Sequence, residues 1–383
     1  MKLVFITNNF PPISCGVGDY TYNLAQEFVK TGHEVGIVCR IDSRISSHWG
    51  KGLEGITVYP IGVNWGLSDW KRVMNLLQDL KPDRVLLQYV PYSFSRFGTP
   101  VLIPLVWFIL RLKKYNIHIT YHEIAMWAGW GKIKYLPISF IQFTIAYTTL
   151  FLSKSVFVST QFVSNQLQYF YKSNKIAVVP IGGNFPFNKV EKVDSDKIII
   201  CTAGLSPSRN VLLIKTFCEM AEEIPFLELW VLGKYNEKTF LKVESNYAAS
   251  KGWNRIVFTG VISSKDFAAF LSQADFFCFI DYVDKNGIGG ISTKSSILPS
   301  VLNASLPIIG TKGSLTDDFF YKHGCNIHLV DYDQKMLKEA ILKLFNDKKY
   351  AQKLGENAFY TFKKFMSWEK IVEKYLDRFV CNV

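Results

Sequence analysis

The chain has 383 residues, of which 49% are hydrophobic and 20% charged, so it can bury a core and is not a disordered protein. Its length predicts two domains. It carries 44 Lys and Arg against 32 Asp and Glu, a net charge of +12, which fits phosphorylated ligands or anionic lipid. The basic residues are scattered, whereas a nucleic-acid-binding face clusters them, so we expect no nucleic-acid partner.

The cysteines and the N-terminus indicate the compartment. Seven cysteines stand far apart without a CxxC pair, which favours a reducing environment over a disulfide framework or a zinc site. The first seven residues form an apolar strand pattern that is too short for a signal peptide. We therefore expect a cytoplasmic protein.

The first half of the sequence predicts alternating strands and helices. A short apolar run at 2–7 predicts a buried strand, and a Pro/Gly loop at 8–18 follows it. Asp19 is well placed to begin a helix that ends near Lys30, before a second strand at 34–39. The same alternation predicts helices at 68–80 and 100–115 and strands at 83–88, 117–121, 155–159 and 175–180.

Two apolar segments bear on membrane contact. Residues 135–152 contain no charge and approach the ~20 residues that span a bilayer. Several hydroxyl and amide side chains within them favour a buried or interfacial helix over a membrane span. The apolar segment 101–110 is followed by Arg111, Lys113 and Lys114, so it is either a core helix or a helix with a face on a membrane.

A polar segment at 184–197 predicts a linker, and the alternation then begins again. Strands are predicted at 198–203, 227–232, 255–259, 275–280, 307–311 and 326–330, and helices at 211–223, 265–274 and 292–304. Amphipathic helices at 335–347 and 350–380 close the chain. The pattern predicts an α/β protein with two doubly wound, Rossmann-like sheets that face each other across a cleft, with ligands at the carboxyl ends of the strands.

Candidate site residues in the first half follow two of these strands. Gly16 and Gly18 lie between a strand and a helix, where backbone N–H groups bind anions, although such glycines also serve ordinary turns. The loop is not GxGxxG, so a dinucleotide fingerprint is absent. His122 and Glu123 follow the strand at 117–121. A histidine there either binds a sugar hydroxyl and stabilises developing charge, or is a structural residue at a strand end.

In the second half, two loops combine glycine with cations. Gly204 begins a loop that ends at Arg209, which either binds a diphosphate with help from the next helix dipole or is a solvated surface residue. The run 289–296 precedes a predicted helix. Its small donors and its lysine suit phosphate or sugar oxygens, although a run of this composition also serves as a simple turn. Its candidate residues are Gly290, Ser292, Thr293 and Lys294.

Motifs in order along the chain resemble those of the family 4 glycosyltransferases, retaining enzymes of GT-B fold. The opening VFITNNFPPISCGVGDYTYNLAQEFVKTGHEVGIVC carries the resemblance first. It continues at 119–123, 179–184, 204–209, 227–233, 257–260, 304–309 and 365–369. The resemblance implies an acceptor-side domain at 1–184, a nucleotide-sugar-binding domain at 185–362, and a helix at 363–383 that crosses back to the first domain.

The resemblance also implies roles for single residues. Gly16 matches a glycine near the donor phosphate, His122 a histidine that contacts the donor sugar, Arg209 the cation that neutralises the diphosphate, and Val261 the backbone that contacts the nucleobase. The sequence departs from the family at three positions. Gly204 stands where the family has the arginine that usually precedes the phosphate-binding lysine. Ser292 and Ser300 replace the two glutamates that contact the donor sugar and the ribose. The run Gly290–Lys294 resembles a divergent subgroup in which G-[IV]-S-x-[RK] replaces the first glutamate.

The implied activity is transfer of a sugar, hexosyl or related, from a nucleotide sugar to a hydroxyl of a polysaccharide or lipid-linked oligosaccharide, with retention. The β-phosphate would act as the base, and no metal or other cofactor is expected. The basic charge and the apolar segments suggest peripheral contact with the anionic inner face of the cytoplasmic membrane.

Three alternatives remain open. The two missing glutamates favour a non-catalytic GT-B protein that binds sugar nucleotide or acts as an assembly partner. An inverting transferase would need a general base, for which His122, Glu123 and Asp19 are the candidates. A GT-B epimerase or phosphorylase would make the order of the motifs a coincidence.

Overall fold

The computed structural model describes residues 1–49, 55–125 and 135–380. The chain forms two compact units. The first contains Met1–Pro180 together with the C-terminal segment that begins at Trp368, and the second contains Ile181–Ser367. The boundaries expected at 184/185 and 362/363 lie a few residues from these limits.

The first unit is built on a parallel sheet of seven strands in the order β3-β2-β1-β4-β5-β6-β7. The strands are β1 Lys2–Ile6, β2 Glu34–Arg40, β3 Ile56–Gly62, β4 Arg84–Tyr89, β5 Ile117–Tyr121, β6 Ser155–Val158 and β7 Ile176–Val178. Its helices include α1 Gly16–Lys30, α2 Ser43–Trp49, α3 Leu67–Leu80, α4 Pro91–Phe94, α5 Leu102–Leu112, α6 Leu136–Leu152 and α7 Gln161–Phe170. The last helix, α14 Trp368–Val380, also belongs to this unit.

The second unit is built on a parallel sheet of six strands in the order β10-β9-β8-β11-β12-β13. The strands are β8 Ile198–Leu205, β9 Leu227–Tyr235, β10 Ile256–Gly260, β11 Phe276–Phe279, β12 Ile308–Thr311 and β13 His328–Val330. Its helices are α8 Val211–Glu223, α9 Glu237–Tyr247, α10 Ser264–Gln273, α11 Ile297–Asn303, α12 Gln334–Asn346 and α13 Lys348–Thr361, with a 3-10 turn at Trp253–Arg255 and a π-helical turn at Phe362–Met366.

The central strands form because they are short, continuous apolar runs that helices cover on both faces, as parallel sheets require. In β1, Val4 to Ile6 are completely buried, and in β11 so are Phe277 to Phe279. Strand order reverses between β1 and β4 in the first sheet and between β8 and β11 in the second. The carboxyl ends of these strands are the places where open α/β sheets bind ligands.

Helix α14 is held on the first unit by a buried hydroxyl chain and by aromatic packing. The Tyr375 hydroxyl lies 3.0 Å from the Tyr20 hydroxyl on α1 and 2.8 Å from Thr120 Oγ1 on β5. The Tyr375 ring packs on Phe157 with 3.9 Å between centroids. The last helix is thus part of the core of the first unit.

Several expected elements begin or end elsewhere. Helix α1 begins at Gly16, so the expected start at Asp19 is wrong, because extended Cys15 already ends the loop. Helix α11 begins at Ile297 rather than at 292, because the residues before it form a turn at 293–294 and a bend at 296. Strand β9 continues through Gly233 to Tyr235. Elements β3, α2, α4, α7 and α9 were not predicted.

The apolar segment 135–152 forms helix α6, which confirms a helix there. No helix among residues 1–49, 55–125 and 135–380 has both the length and the hydropathy to span a bilayer. The expected linker 184–197 contains no helix or strand. It runs beside the end of α10, where the Val190 N–H donates to Ser272 Oγ (3.0 Å) and the Val193 N–H to Gln273 Oε1 (2.8 Å).

Candidate active site

The switch point of the second sheet is the carboxyl edge between β8 and β11, where the strand order reverses. There, Asn210 joins the ends of these two strands. Asn210 is buried in the left-handed conformation (φ 63°) directly before α8. Its amide nitrogen donates to the carbonyls of Ala203 (3.1 Å) and Gly204 (2.8 Å), and its Oδ1 accepts the Ile280 N–H (3.1 Å). Asn210 therefore fixes the loop that carries its neighbour, Arg209. Sequence reasoning missed Asn210, although an asparagine before a predicted helix is a capping signal.

Arg209 is oriented by an acid and an aromatic ring. Its Nε donates to Asp281 Oδ1 (2.7 Å) and its Nη2 to Asp281 Oδ2 (3.3 Å). The guanidinium carbon lies 4.3 Å from the centroid of the Phe279 ring, a cation–π distance. The side chain is 31% exposed. The structure thus places an accessible but paired cation at the switch point, and Asp281, which follows β11, was not predicted.

A three-glycine contact shapes the loop before α11. Gly289 (φ +133°) and Gly290 (φ +85°) have backbone conformations that other residues rarely adopt. A Cβ on Gly290 would lie 2.5 Å from Gly313 N, and a Cβ on Gly313 would lie 2.3 Å from Gly289 O. The glycines therefore allow two backbone segments to touch. Gly289 belongs to the run singled out from the sequence, whereas Gly313 was missed, because a glycine needed for close approach has no local sequence signal.

The hydroxyl residues after these glycines have local partners. Ser292 Oγ accepts the Lys294 N–H (3.1 Å), and Lys294 is exposed. Thr293 is fully buried, and its carbonyl accepts the Ile181 N–H (3.0 Å). Helix α11 begins at Ile297, directly after the run 289–296, so the expectation that this run lies just before a helix is confirmed.

Ser300 has a structural place in α11. Its hydroxyl donates to the Ser296 carbonyl (3.1 Å) and accepts the Phe185 N–H (3.2 Å). The side chain is buried, and a Cβ on Gly183 would lie 3.0 Å from Ser300 Oγ. Ser300 thus anchors the first residues of the second unit to α11.

Gly204 and Val261 follow different strands of the second sheet. Gly204 has φ +68°, and a Cβ there would lie 3.2 Å from the Lys234 carbonyl. Val261 is 83% exposed and follows Gly260, the last residue of β10. Strand β9 separates β10 from β8, so Val261 lies further along the carboxyl edge than Gly204 and Arg209 do.

In the first unit, both candidate glycines lie inside the first turn of α1 rather than in the loop before it. Gly16 is exposed, with open space where a Cβ would stand. A Cβ on Gly18 would lie 2.9 Å from the Asn9 carbonyl, so Gly18 allows α1 to approach the loop after β1. Burial raises the pKa of Asp19 in the same turn. This first turn of α1 still presents N–H groups at the carboxyl edge of the sheet.

His122 follows β5 and is buried, and its ring is held from two sides. Its Nε2 lies 2.8 Å from Gln88 Oε1 on β4, and its ring meets Tyr20 of α1 edge to face, with 4.9 Å between centroids. Glu123 beside it is exposed. Gln88 is buried, and its amide nitrogen has no hydrogen-bond partner among the described residues. Sequence reasoning missed Gln88 because it lies within a strand.

The described ranges contain no group of three His, Cys, Asp or Glu residues arranged to hold a metal. The expectation that the sequence has no Asp-x-Asp motif is wrong, because such triplets occur at 194–196 and 331–333. Asp333 caps α12 by accepting the Met336 N–H (2.9 Å). Metal independence remains a prediction.

Two Rossmann-like units with parallel sheets, the first completed by the last helix, define the GT-B class of fold. Residues 184–360 match the family model described as "Glycosyl transferases group 1". This match covers the second unit from Asn184 almost to its end. No curated protein matches the chain by sequence.

Solved structures agree with the fold over nearly the whole chain. A glycosyltransferase from Rickettsia africae superposes with TM-score 0.72 at 14% identity, covering 100% of this chain and 98% of that one. Sucrose-phosphate synthase from Thermosynechococcus elongatus gives 0.70 at 15% identity, covering 98% of each. Alr3699/HepE of Anabaena, in complex with UDP and glucose, gives 0.69 at 12% identity and 98% of each. At these identities the likeness establishes the fold.

Proposed function

We propose that the protein is a glycosyltransferase that moves a sugar from a nucleotide-sugar donor to a hydroxyl acceptor. The observation that carries this proposal is the position of Arg209. It lies at the switch point of a parallel sheet, inside the segment that matches the group 1 glycosyltransferases. At that place an oriented, accessible guanidinium suits an anionic ligand.

The donor is proposed to bind the second unit through its diphosphate. A nucleoside diphosphate gains negative charge as the glycosidic bond breaks, so cations and N–H groups placed beside it stabilise the transition state. We assign this role to Arg209 and Lys294. The other proposed donor-binding residues are Gly16, Gly18, Gly204, Val261, Gly290, Ser292, Thr293 and Ser300. Of these, Ser300 contributes through the backbone that it anchors, because its hydroxyl already has partners.

We propose that His122 and Glu123 act on the transferred sugar. The contacts of His122 with Gln88 and Tyr20 hold the imidazole in one orientation. Retention of configuration requires no carboxylate nucleophile if the β-phosphate accepts the proton. Inversion would require a base, and the raised pKa of Asp19 favours proton transfer by that carboxyl. Proton NMR of the anomeric product distinguishes the two outcomes.

The proposed acceptor is a polysaccharide or lipid-linked oligosaccharide at the inner face of the cytoplasmic membrane. The net charge of +12 suits anionic lipid, and the proposal includes no nucleic acid and no metal. Because the Anabaena protein was crystallised with UDP and glucose, UDP-glucose is the first donor to test.

A thermal-shift panel of nucleotide sugars and free nucleotides tests the proposal. A ligand that binds the folded state raises the melting temperature by mass action. We expect one nucleoside diphosphate and its sugar conjugate to stabilise the protein without added metal, and chelator to leave the shift unchanged. If no nucleotide moves the melting temperature, the proposal is wrong.

A second candidate function is sugar-nucleotide binding without transfer. One observation supports it: Ser300, at the position where the family resemblance places a glutamate, has a structural role in α11. A donor that binds tightly but is never cleaved, with any acceptor, would select this function.

A further inference from the structure

Helix α5 presents a row of apolar side chains to solvent. Val101, Leu105, Phe108 and Leu112 are all exposed, and Leu112 is 66% exposed. Their spacing of four, three and four residues places them on one side of the helix. The opposite side of α5, with Ile103, Trp107 and Leu110, is buried in the core of the first unit. The exposed row is therefore separate from the side of α5 that packs in the core.

Helix α6 packs beside α5 and extends this surface. Its 17 residues include no charged residue. Leu136, Phe140, Ile141 and Phe151 are exposed, and Phe140 is 74% exposed. A shallow groove of about 300 Å³ lies between the helices, lined by Val101, Pro104, Phe140, Ile141, Thr144, Ile145 and Thr148.

The exposed hydroxyls of α6 are satisfied within the helix. Thr144 Oγ1 donates to the Phe140 carbonyl (2.9 Å), and Thr148 Oγ1 donates to the Thr144 carbonyl (2.8 Å). A helix that enters an apolar medium must satisfy its polar groups internally. These two threonines therefore add no unpaired donor to the surface.

Basic residues border the surface where α5 ends. Arg111, Lys113 and Lys114 are exposed, and no ion pair joins them to an acid within the described ranges. Near the end of α6, the Lys175 ammonium lies 5.9 Å from the Phe151 ring centroid. Burial lowers the pKa of Lys175, and the positive charge of the nearby Arg111 lowers it further. The border thus has a positive charge that the protein does not neutralise.

We propose that this α5/α6 face, formed by residues 101–114 and 136–151, binds the surface of an anionic bilayer. Its apolar side chains enter the boundary between headgroups and acyl chains, and its basic border contacts lipid phosphates. The charges favour lipid over a second copy of the chain, because α5 and α6 contain no Asp or Glu to pair with the border. The inference refines the membrane contact proposed above and rests on it, but it is tested without turnover.

The test is flotation of the purified full chain with vesicles of phosphatidylglycerol and phosphatidylcholine, or of phosphatidylcholine alone. We expect binding to the anionic vesicles and little to the neutral ones. Raising the ionic strength should weaken binding, because salt screens the border charges.

Two variants test the two parts of the face. Phe140→Glu places a charge in the apolar centre and should reduce vesicle binding at least tenfold. The triple variant Arg111→Gln, Lys113→Gln, Lys114→Gln should lose about fivefold per charge removed. The matched controls lie on the second unit and should bind as the parent does: Leu241→Glu for the apolar change, and Lys242→Gln, Lys251→Gln, Lys265→Gln for the charges. Circular dichroism and nucleotide-induced thermal shift establish that each variant is folded.

The outcomes separate the explanations. Anionic binding that both face variants lose and both controls keep supports the proposal. Equal loss in face and control variants would show non-specific attraction, and absence of binding in the parent would also overturn the proposal. If the parent is a dimer by sedimentation and Phe140→Glu makes it a monomer without any vesicle effect, the face joins two copies instead. Nucleotide binding that persists in any of these cases leaves the proposed sugar transfer intact.

Discussion

Replacing Arg209 by alanine is expected to weaken the binding of nucleoside diphosphate strongly. The change removes the cation at the switch point and leaves the Asp281 carboxylate, its partner at 2.7 Å, without compensation. A charged hydrogen bond contributes about 1.5–3 kcal/mol, which corresponds to roughly a 10- to 150-fold rise in Kd. A loss near the lower end of this range is expected for a side chain that is 31% exposed, because solvent screens its charge. The unpaired Asp281 carboxylate repels the diphosphate and adds to the loss.

The assay is isothermal titration calorimetry with the nucleotide that the thermal-shift panel selects. Asp281→Asn keeps an acceptor for Arg209 and removes the competing negative charge, so it should bind the diphosphate a few-fold more tightly. Lys242→Ala, an exposed lysine of α9, is the control for loss of one positive charge. Unchanged affinity in Arg209→Ala, or weaker binding in Asp281→Asn, would refute the assignment of the diphosphate to this cation.

Three further predictions concern stability. Burial lowers the pKa of His118 to about 3, so between pH 6.5 and pH 4 the unfolded chain binds a proton that the folded chain does not. The free energy of unfolding should therefore fall by about 3 kcal/mol by pH 4. Urea unfolding should show a smaller fall for His118→Leu. Gly290→Ala should lower the free energy of unfolding by more than the ~1–3 kcal/mol that a strained backbone conformation costs alone, because the new Cβ would also lie 2.5 Å from Gly313 N. An unaltered urea midpoint would contradict this. Tyr375→Phe should cost about 1–3 kcal/mol by unpairing buried hydroxyls, and the double variant with Tyr20→Phe should cost less than the sum of the two, whereas additive costs would show that the hydroxyls are not coupled.

The sequence predicts the strands well because a buried parallel strand is a continuous apolar run. Strand β5 Ile117–Tyr121 and helix α8 Val211–Glu223 have the predicted limits. Strand β3 was missed, since Pro60 and Gly62 interrupt its apolar pattern and only pairing with β2 makes it a strand. Helix starts were less predictable: α1 begins at Gly16 because tertiary contact, such as that of Gly18 with Asn9, fixes the loop before it.

Site residues were predictable where one residue type suffices for the chemistry. Arg209 and His122 were selected as a cation and an imidazole after strands, and the structure places both at the carboxyl edge of a sheet. Their partners Asp281 and Gln88 could not be predicted, because each pairing joins residues that are distant in sequence. The sequence position of Ser300 suggested a ribose contact. Its bond to Phe185 is a tertiary feature that a motif does not contain.

Transfer of a labelled sugar tests the central claim most directly. The protein is incubated with labelled nucleotide sugar and a membrane lipid extract, and both free nucleoside diphosphate and labelled lipid are measured. We predict that both products appear together, and that His122→Ala loses turnover while it still binds the nucleotide. A donor that binds but yields neither product, or equal turnover in His122→Ala and the parent, would contradict the account.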